Sequence, residues 1–511
     1  MKPAENFSLQ YLSDIPYLLP CGQAIADRKR GLRLNETGAF LWTALQETTD
    51  REALLARLAA HYDAVSEEMS RLEEDLSAFL SQLHAHGLLT EDKFADSPHN
   101  LENNHANSLH NLEDRPSDSL HNPENSHADS PHNPENSPVD LPTVSHAVPA
   151  NSSITGKILR IGGERIRIQA PAELFNDALL AFQEEETAVF GSDFDLRGAS
   201  ASGSGFNLRG ASASGSGFKL RGASASGSDF DLKTTAASTL VCDLEVTVSS
   251  LSEVSGDSET SASSPSILHK DASAHRVCLL KDPQLCVTED ESTYYFSFPS
   301  AQQLPYGEIG KDGSRAAFYY RFAGLGADFP SETLKEELFH SLRLAFLYHA
   351  QKKGLFAIHS ASILYQGKAW LFSGHSGMGK STHARLWTQL YETPQLNGDL
   401  NLLAVTPEGP MVYGMPWCGT SGIYTDQTYP LGGVILLKQD RQDFCEELSP
   451  DKKTLLLSQR LISPAWTEEL LSLNLRFTDQ LKDRIPVCRL HCTKESSAAE
   501  TMKNWIDRQP F

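Results

Sequence analysis

The spacing of apolar and polar positions changes period several times along the 511 residues, and each change marks an element boundary. Phe7 to Leu12, Pro16 to Leu19 and Ala24 to Leu34 alternate as short strands do. Helical spacing follows: Asn35 caps a helix carrying Phe40, Leu41 and Leu45, and further helices are predicted at Asp50 to Tyr62 and Ser66 to His86, the last stopped by Gly87. Short strands followed by small amphipathic helices predict a winged-helix module over residues 1–93.

Periodicity of another kind takes over next. From His99 the chain repeats every 11 residues, with His99, His110, His121 and His132 each followed three places later by a glutamate, in a background of Asn, Ser, Asp and Pro. With almost nothing apolar to bury and recurrent prolines, residues 94–152 are predicted to be a disordered linker rather than a helical rod. The H-x-x-E spacing would matter for metal binding only on a helix. Alternating strands return at Lys157 to Ile161, Arg165 to Ile168 and Thr239 to Val248, which predicts a β-rich lobe over 153–353. A 12-residue Phe-x-Leu repeat joined by Gly/Ser segments interrupts it at about 187–236 as a second disordered insertion.

The C-terminal third, 354–511, changes character again. Glu332 to Lys353 carries Leu334, Leu338, Leu342 and Ala345 at helical spacing and stops at Gly354. The strand Leu355 to Ile363 and a second strand, Ala369 to Ser373, then lead into Gly374-His375-Ser376-Gly377-Met378-Gly379-Lys380-Ser381-Thr382. This is G-x-x-x-x-G-K-[ST] in a strand, loop and helix setting. Glycines let backbone N–H groups turn toward a phosphate, the helix start adds its positive end, Lys380 reaches the β and γ phosphates, and Ser381 can ligate Mg²⁺. Gly374 to Thr382 are therefore the expected nucleotide-binding residues, with ATP and Mg²⁺ as the cofactors.

Composition removes alternatives. Acidic residues outnumber basic ones by 66 to 44 and no Lys/Arg stripe stands out, so no nucleic-acid partner is expected. No 18-residue apolar run and no export signal is present, so neither membrane spanning nor secretion is expected and the location is expected to be cytoplasmic. The eight cysteines form no C-x-x-C pair, as suits reduced thiols. Cys488 to Cys492 reads as a terminal strand.

Two segments carry resemblances. Leu34-Asn35-Glu36-Thr37-Gly38-Ala39-Phe40-Leu41-Trp42, with the helices behind it and Gly87-Leu88-Leu89, resembles the PqqD-type peptide-binding domain of enzymes that modify ribosomal peptides. The resemblance implies that a precursor's leader adds as a strand beside Ala24 to Leu34 and rests on the Ser66 to His86 helix. The order of His359, the glycine-rich loop and Asn397-Gly398-Asp399, with Tyr413 to Gly419 and the strand Gly432 to Leu437, resembles the C-terminal domain of HPr serine kinase/phosphorylase and its peptide-associated relatives.

That second resemblance implies that His359 lies beside the γ phosphate and that Asp399 binds metal with Ser381 and accepts the attacking hydroxyl's proton. Asp399, His359 and Lys380 are thus the expected catalytic residues. The kinase family usually has two adjacent aspartates where this chain has Gly398 and Asp399, which leaves one carboxylate for both tasks. The Trp417 loop either closes over substrate or supplies a core aromatic. The expected fold class is α+β and α/β multidomain: a winged-helix domain, a β-rich lobe and an HPr-kinase-like P-loop domain with long disordered linkers. The expected function is an ATP-dependent kinase acting on a Ser or Thr of a captured ribosomal peptide, delivered across a flexible tether spanning roughly 40 Å. A nucleotide-gated chaperone or scaffold without transfer and a DNA-binding regulator are the alternatives, and a homo-oligomer is allowed.

Overall fold

The computed structural model describes residues 2–65, 68–90, 154–184, 242–251, 276–321 and 330–509. Both repeat-bearing segments, expected to be disordered, lie outside the described residues. The chain up to Gln183 and from Asp243 onward packs as one compact unit.

At the N-terminus, β1 (Lys2–Pro3), β2 (Phe7–Leu12), β3 (Ile15–Pro20), a single-turn α1 (Gln23–Ala26), β4 (Leu32–Arg33), α2 (Glu36–Glu47), α3 (Arg51–His61), α4 (Met69–Ala85) and β5 (Leu89–Thr90) follow one another. Strands β2, β3 and β4 form a sheet in that order, and β1 pairs with β5. Asn35 caps α2 by accepting the Gly38 N–H at 2.8 Å. Leu18, Leu41, Trp42, Leu54, Leu58, Leu76 and Leu83 close the module's core. The strand expected over Ala24 to Leu34 is corrected: the amides of Asp27, Arg28 and Lys29 bond back to Gln23, Ile25 and Ala24 carbonyls. With those donors satisfied locally and Arg28 at φ 55°, only Leu32–Arg33 remains to pair with β3.

The second body begins with β6 (Ile154–Ile161), β7 (Glu164–Pro171) and a one-turn α5 (Asp177–Leu180). Beyond the undescribed segment come β8 (Leu244–Ser250), β9 (Val277–Lys281), β10 (Cys286–Glu289), β11 (Thr293–Ser297), β12 (Tyr306–Gly310) and β13 (Arg315–Tyr320). They form one sheet in the order β6-β7-β8-β13-β12-β11-β10-β9, antiparallel except where β8 joins β7 and β13. Helix α6 (Glu332–Lys352) lies beneath it, capped by Ser331 and ended at Gly354, φ 81°.

The third body contains β14 (Phe356–Tyr365), β15 (Lys368–Ser373), α7 (Lys380–Tyr391), β16 (Gln395–Asn397), β17 (Leu400–Thr406), β18 (Gly409–Tyr413), β19 (Thr428–Gln439), β20 (Phe444–Glu447), α8 (Pro450–Ser458), α9 (Glu468–Lys482), β21 (Val487–Cys492) and α10 (Ser496–Ile506). Strands β15, β14, β17, β18 and β19 close a ring of pairings, because β15 also runs parallel to β19. One core spans the second and third bodies: Leu338, Leu342 and Phe346 of α6 pack with Leu400, Leu402, Met415 and Trp417. Trp417 is 2 % exposed, stacks on Phe346 at 5.4 Å and donates to the Phe339 carbonyl at 2.9 Å. It is a core aromatic, not a closing loop.

The N-terminal module is docked against the third body. Leu12, Tyr17, Leu19 and Cys21 share a cluster with Leu455 of α8 and Leu471 and Leu475 of α9. The Tyr17 hydroxyl donates to Asp451 at 2.8 Å, Ser8 to Glu468 at 2.6 Å, and the Gly22 amide to the Ala465 carbonyl at 3.1 Å. A free tether is therefore corrected: apolar burial at this face fixes the module in place.

Candidate functional site

Strand β15 is pinned between β14 and β19, so its end at Ser373 is a fixed point from which the glycine-rich loop departs. Gly377 and Gly379 sit at φ 78° and 99°, in the left-handed region where a side chain strains the backbone. Gly379 is the N-cap of α7 and supplies no side-chain cap to the helix start. A helix start leaves N–H groups without intrahelical acceptors and carries the helix's positive end, an arrangement that suits an anion. Lys380 is 8 % exposed, and its ammonium donates to the Gly374 and His375 carbonyls at 3.2 and 3.4 Å, closing over the loop. Ser376 and Ser381 are exposed and Thr382 is half-buried. Met378 turns its side chain to the core beside α7, and its amide bonds the His375 carbonyl at 3.1 Å, so that N–H is spent within the loop.

His359 and Asp399, 40 residues apart, meet across β14 and the start of β17. Their side chains touch at 3.0 Å, Nε2 to Oδ1, each 22 % exposed. Asn397 sets this geometry. Buried at 2 %, its side-chain oxygen accepts the Asp399 and Leu400 amides at 2.9 and 3.0 Å, and its amide nitrogen donates to the Met415 and Trp417 carbonyls. Burial by itself would raise the Asp399 pKa; the hydrogen bond and charge of His359, with the charges of Arg343 and Lys380, outweigh it and hold the carboxyl below its ordinary range. Asp399 is ionised at neutral pH.

Gly398 has a steric reason. A Cβ there would lie 2.1 Å from the Ser421 hydroxyl oxygen, which is itself fixed by donating to the Cys418 carbonyl at 2.6 Å. The place beside Asp399 where a second carboxylate would stand is filled by Ser421.

Arg343 and Arg460 carry no motif or periodic sign in the chain that marks them as site residues. Arg460 reaches His375 Nε2 through its guanidinium at 2.9 Å, and its carbonyl accepts the His359 amide at 2.9 Å, so one residue ties the loop to the His359 strand. Arg343, from α6, faces a cavity of about 310 Å³ whose walls include His359, Asp399 and His340. A second cavity of about 120 Å³ lies where Lys29, Arg30 and Gly31 of the N-terminal module meet Trp466 and the residues around it. Leu344 and Ile462 line both cavities.

Among the described residues no cluster of three or more His, Cys, Asp and Glu side chains could hold a metal ion. His491 is instead bracketed by Asp440 and Glu446 at 2.8 and 3.1 Å, and Cys488 to Cys492 lie in β21. No described helix is long and apolar enough to cross a membrane.

Residues 25–89 match the family described as coenzyme PQQ synthesis protein D (PqqD). The match supports the N-terminal module as a peptide-recognition element of a modification system, consistent with a peptide partner. Comparison with curated proteins gives no match.

Proposed function

We propose that this chain, with a PqqD-type module at residues 25–89, is an ATP-dependent kinase that phosphorylates a Ser or Thr of a peptide held by that module. The observation carrying the proposal is the His359–Asp399 contact at 3.0 Å, with the buried Lys380 close enough for its charge to act on Asp399. A Mg-nucleotide, when bound, supplies an activated phosphoryl group; Gly374 to Thr382 would hold its phosphates, and Ser381 and Asp399 its metal.

The protein's residues act by position and charge. Lys380 is poised to exchange its two carbonyl partners for phosphate oxygens. Ionised Asp399 accepts the hydrogen bond of an incoming hydroxyl and orients it, with His359 fixing the carboxylate. A depressed pKa makes Asp399 a weak base, which suffices because phosphoryl transfer depends chiefly on alignment and charge neutralisation. The HPr-kinase resemblance supports the same assignment. Docking supports delivery: the Lys29–Gly31 edge that precedes β4 opens on a cavity that shares the lining residues Leu344 and Ile462 with the Asp399 cavity.

The test incubates the protein with γ-labelled ATP, Mg²⁺ and a positional-scanning library of Ser- and Thr-centred peptides. Label on peptide, lost in Lys380→Ala, is the expected result. The Ser421 hydroxyl beside Asp399 favours a second reading, a nucleotide-gated peptide chaperone lacking transfer. Tight Mg-ATP binding with no transfer would select it, and absence of any nucleotide binding would sink both.

A further inference from the structure

The cavity beside Asp399 is lined by a cation that has no hydrogen-bond or ion-pair partner among the described residues. Arg343 stands on α6 between buried Leu342 and Leu344 and is only partly exposed, yet among the described residues no hydrogen bond or ion pair engages its guanidinium. Its nearest charged influences are Asp399 and His340, which share the cavity wall. A guanidinium carries five donors in a rigid fork, and a half-buried one is costly to leave unmatched. The carboxylates lining the cavity are already engaged: Glu337 accepts the amides of Gln302, Gln303 and Leu304 at 2.7 to 2.9 Å, and Asp399 bonds His359. The lining contains no residue of the glycine-rich loop. Arg343 and Lys380 nonetheless both act on the Asp399 charge, so the carboxylate lies within the electrostatic reach of one cation from the loop and one from the cavity.

We propose that Arg343 anchors an oxyanion-binding subsite in this cavity, adjoining Asp399 and separate from the glycine-rich loop. The ligand class is a planar or tetrahedral oxyanion that accepts two parallel N–H bonds. One source is the phosphoryl group in transfer; the other is a carboxylate of the acceptor peptide. The first rests on the nucleotide reading above, and the second does not need it.

Two calorimetric titrations distinguish them. In the first, parent and Arg343→Ala are titrated with ADP-Mg²⁺, with and without aluminium fluoride as a mimic of the phosphoryl group in flight. If Arg343 serves that group, the variant loses about 10²- to 10³-fold in affinity for the fluoride complex while ADP-Mg²⁺ binding alone changes less than about threefold. In the second, N-acetylaspartate is the probe; if Arg343 serves a peptide carboxylate, millimolar binding to the parent is lost in the variant and the fluoride complex is unaffected. Arg343→Lys, which keeps charge without the fork, is expected to recover part of either loss, and a thermal melt checks that both variants fold. Unchanged affinities in both arms, with the fold intact, overturn the subsite. A parent that binds no ADP-Mg²⁺ removes the nucleotide reading, and the N-acetylaspartate arm then decides the subsite.

Discussion

At the scale of single residues, the lone carboxylate at Asp399 follows from packing around Gly398. The Ser421 hydroxyl sits where a side chain at position 398 would start, so Gly398→Asp is expected to cost about 1–3 kcal/mol through overpacking, read as a lowered melting temperature. Gly398→Asp with Ser421→Gly should recover most of it; a single variant as stable as the parent would show that the loop moves aside freely. His383 offers a second prediction. It is 1 % exposed beside Phe372, its Nδ1 has no partner, and burial lowers its pKa from 6.5 to about 4, against a smaller opposing pull from Asp443. The folded protein refuses a proton that the unfolded chain accepts below pH 6.5. Stability should therefore fall as pH drops from 6.5 to about 4, by about 3 kcal/mol in all, and level off below. Urea midpoints across that range check this, with His383→Leu expected to flatten the slope. Asp399 loses its own contribution only at lower pH, since its folded pKa lies below 3.8.

At the scale of elements, the β2–β3 hairpin is both part of the recognition module and its attachment. Tyr17 is 1 % exposed; burial first, and then its bond to Asp451, hold its pKa far above the ordinary value, so the hydroxyl stays a donor. Tyr17→Phe leaves the Asp451 carboxylate, 5 % exposed, short of a donor and is expected to cost about 1–3 kcal/mol. Faster amide exchange in β2, β3 and α8, with α2 to α4 unchanged, would locate the loss at the docking face; an unchanged pattern would mean that the hydroxyl bond contributes nothing. The hairpin was visible in the alternation of Phe7 to Leu19. The strand read over Ala24 to Leu34 was not there, because local backbone bonding satisfied the donors that a ladder would have used.

At the scale of the whole molecule, removing residues 2–90 uncovers Leu455, Leu471 and Leu475. Each buried leucine contributes roughly 1.5–3 kcal/mol relative to exposure, so the truncated chain is expected to melt lower and to bind a hydrophobic dye. Leu471→Gln with Leu475→Gln in the truncated chain should reduce dye binding. A truncated chain that stays monomeric with an unchanged melting temperature would show that docking adds no stability. Losses of peptide modification after truncation would mix delivery with this instability, which makes Tyr17→Phe the cleaner probe of delivery.

Features that depend on near neighbours are legible in the chain alone. The Asn35 cap, the stop at Gly354, the α6 stripe and the strand, loop and helix around Lys380 are local patterns, because periodicity and capping act over a few residues. His359 and Asp399 were nominated through resemblance, but only the β14–β17 register places them 3.0 Å apart. The Ser421 block on Gly398, the link from Arg460 to His375, the open guanidinium of Arg343 and the docked module were decided by tertiary structure alone. Each joins residues far apart in the chain whose own neighbourhoods carry no periodic sign of the contact, since steric fit and charge pairing at such distances depend on how sheets and helices stack.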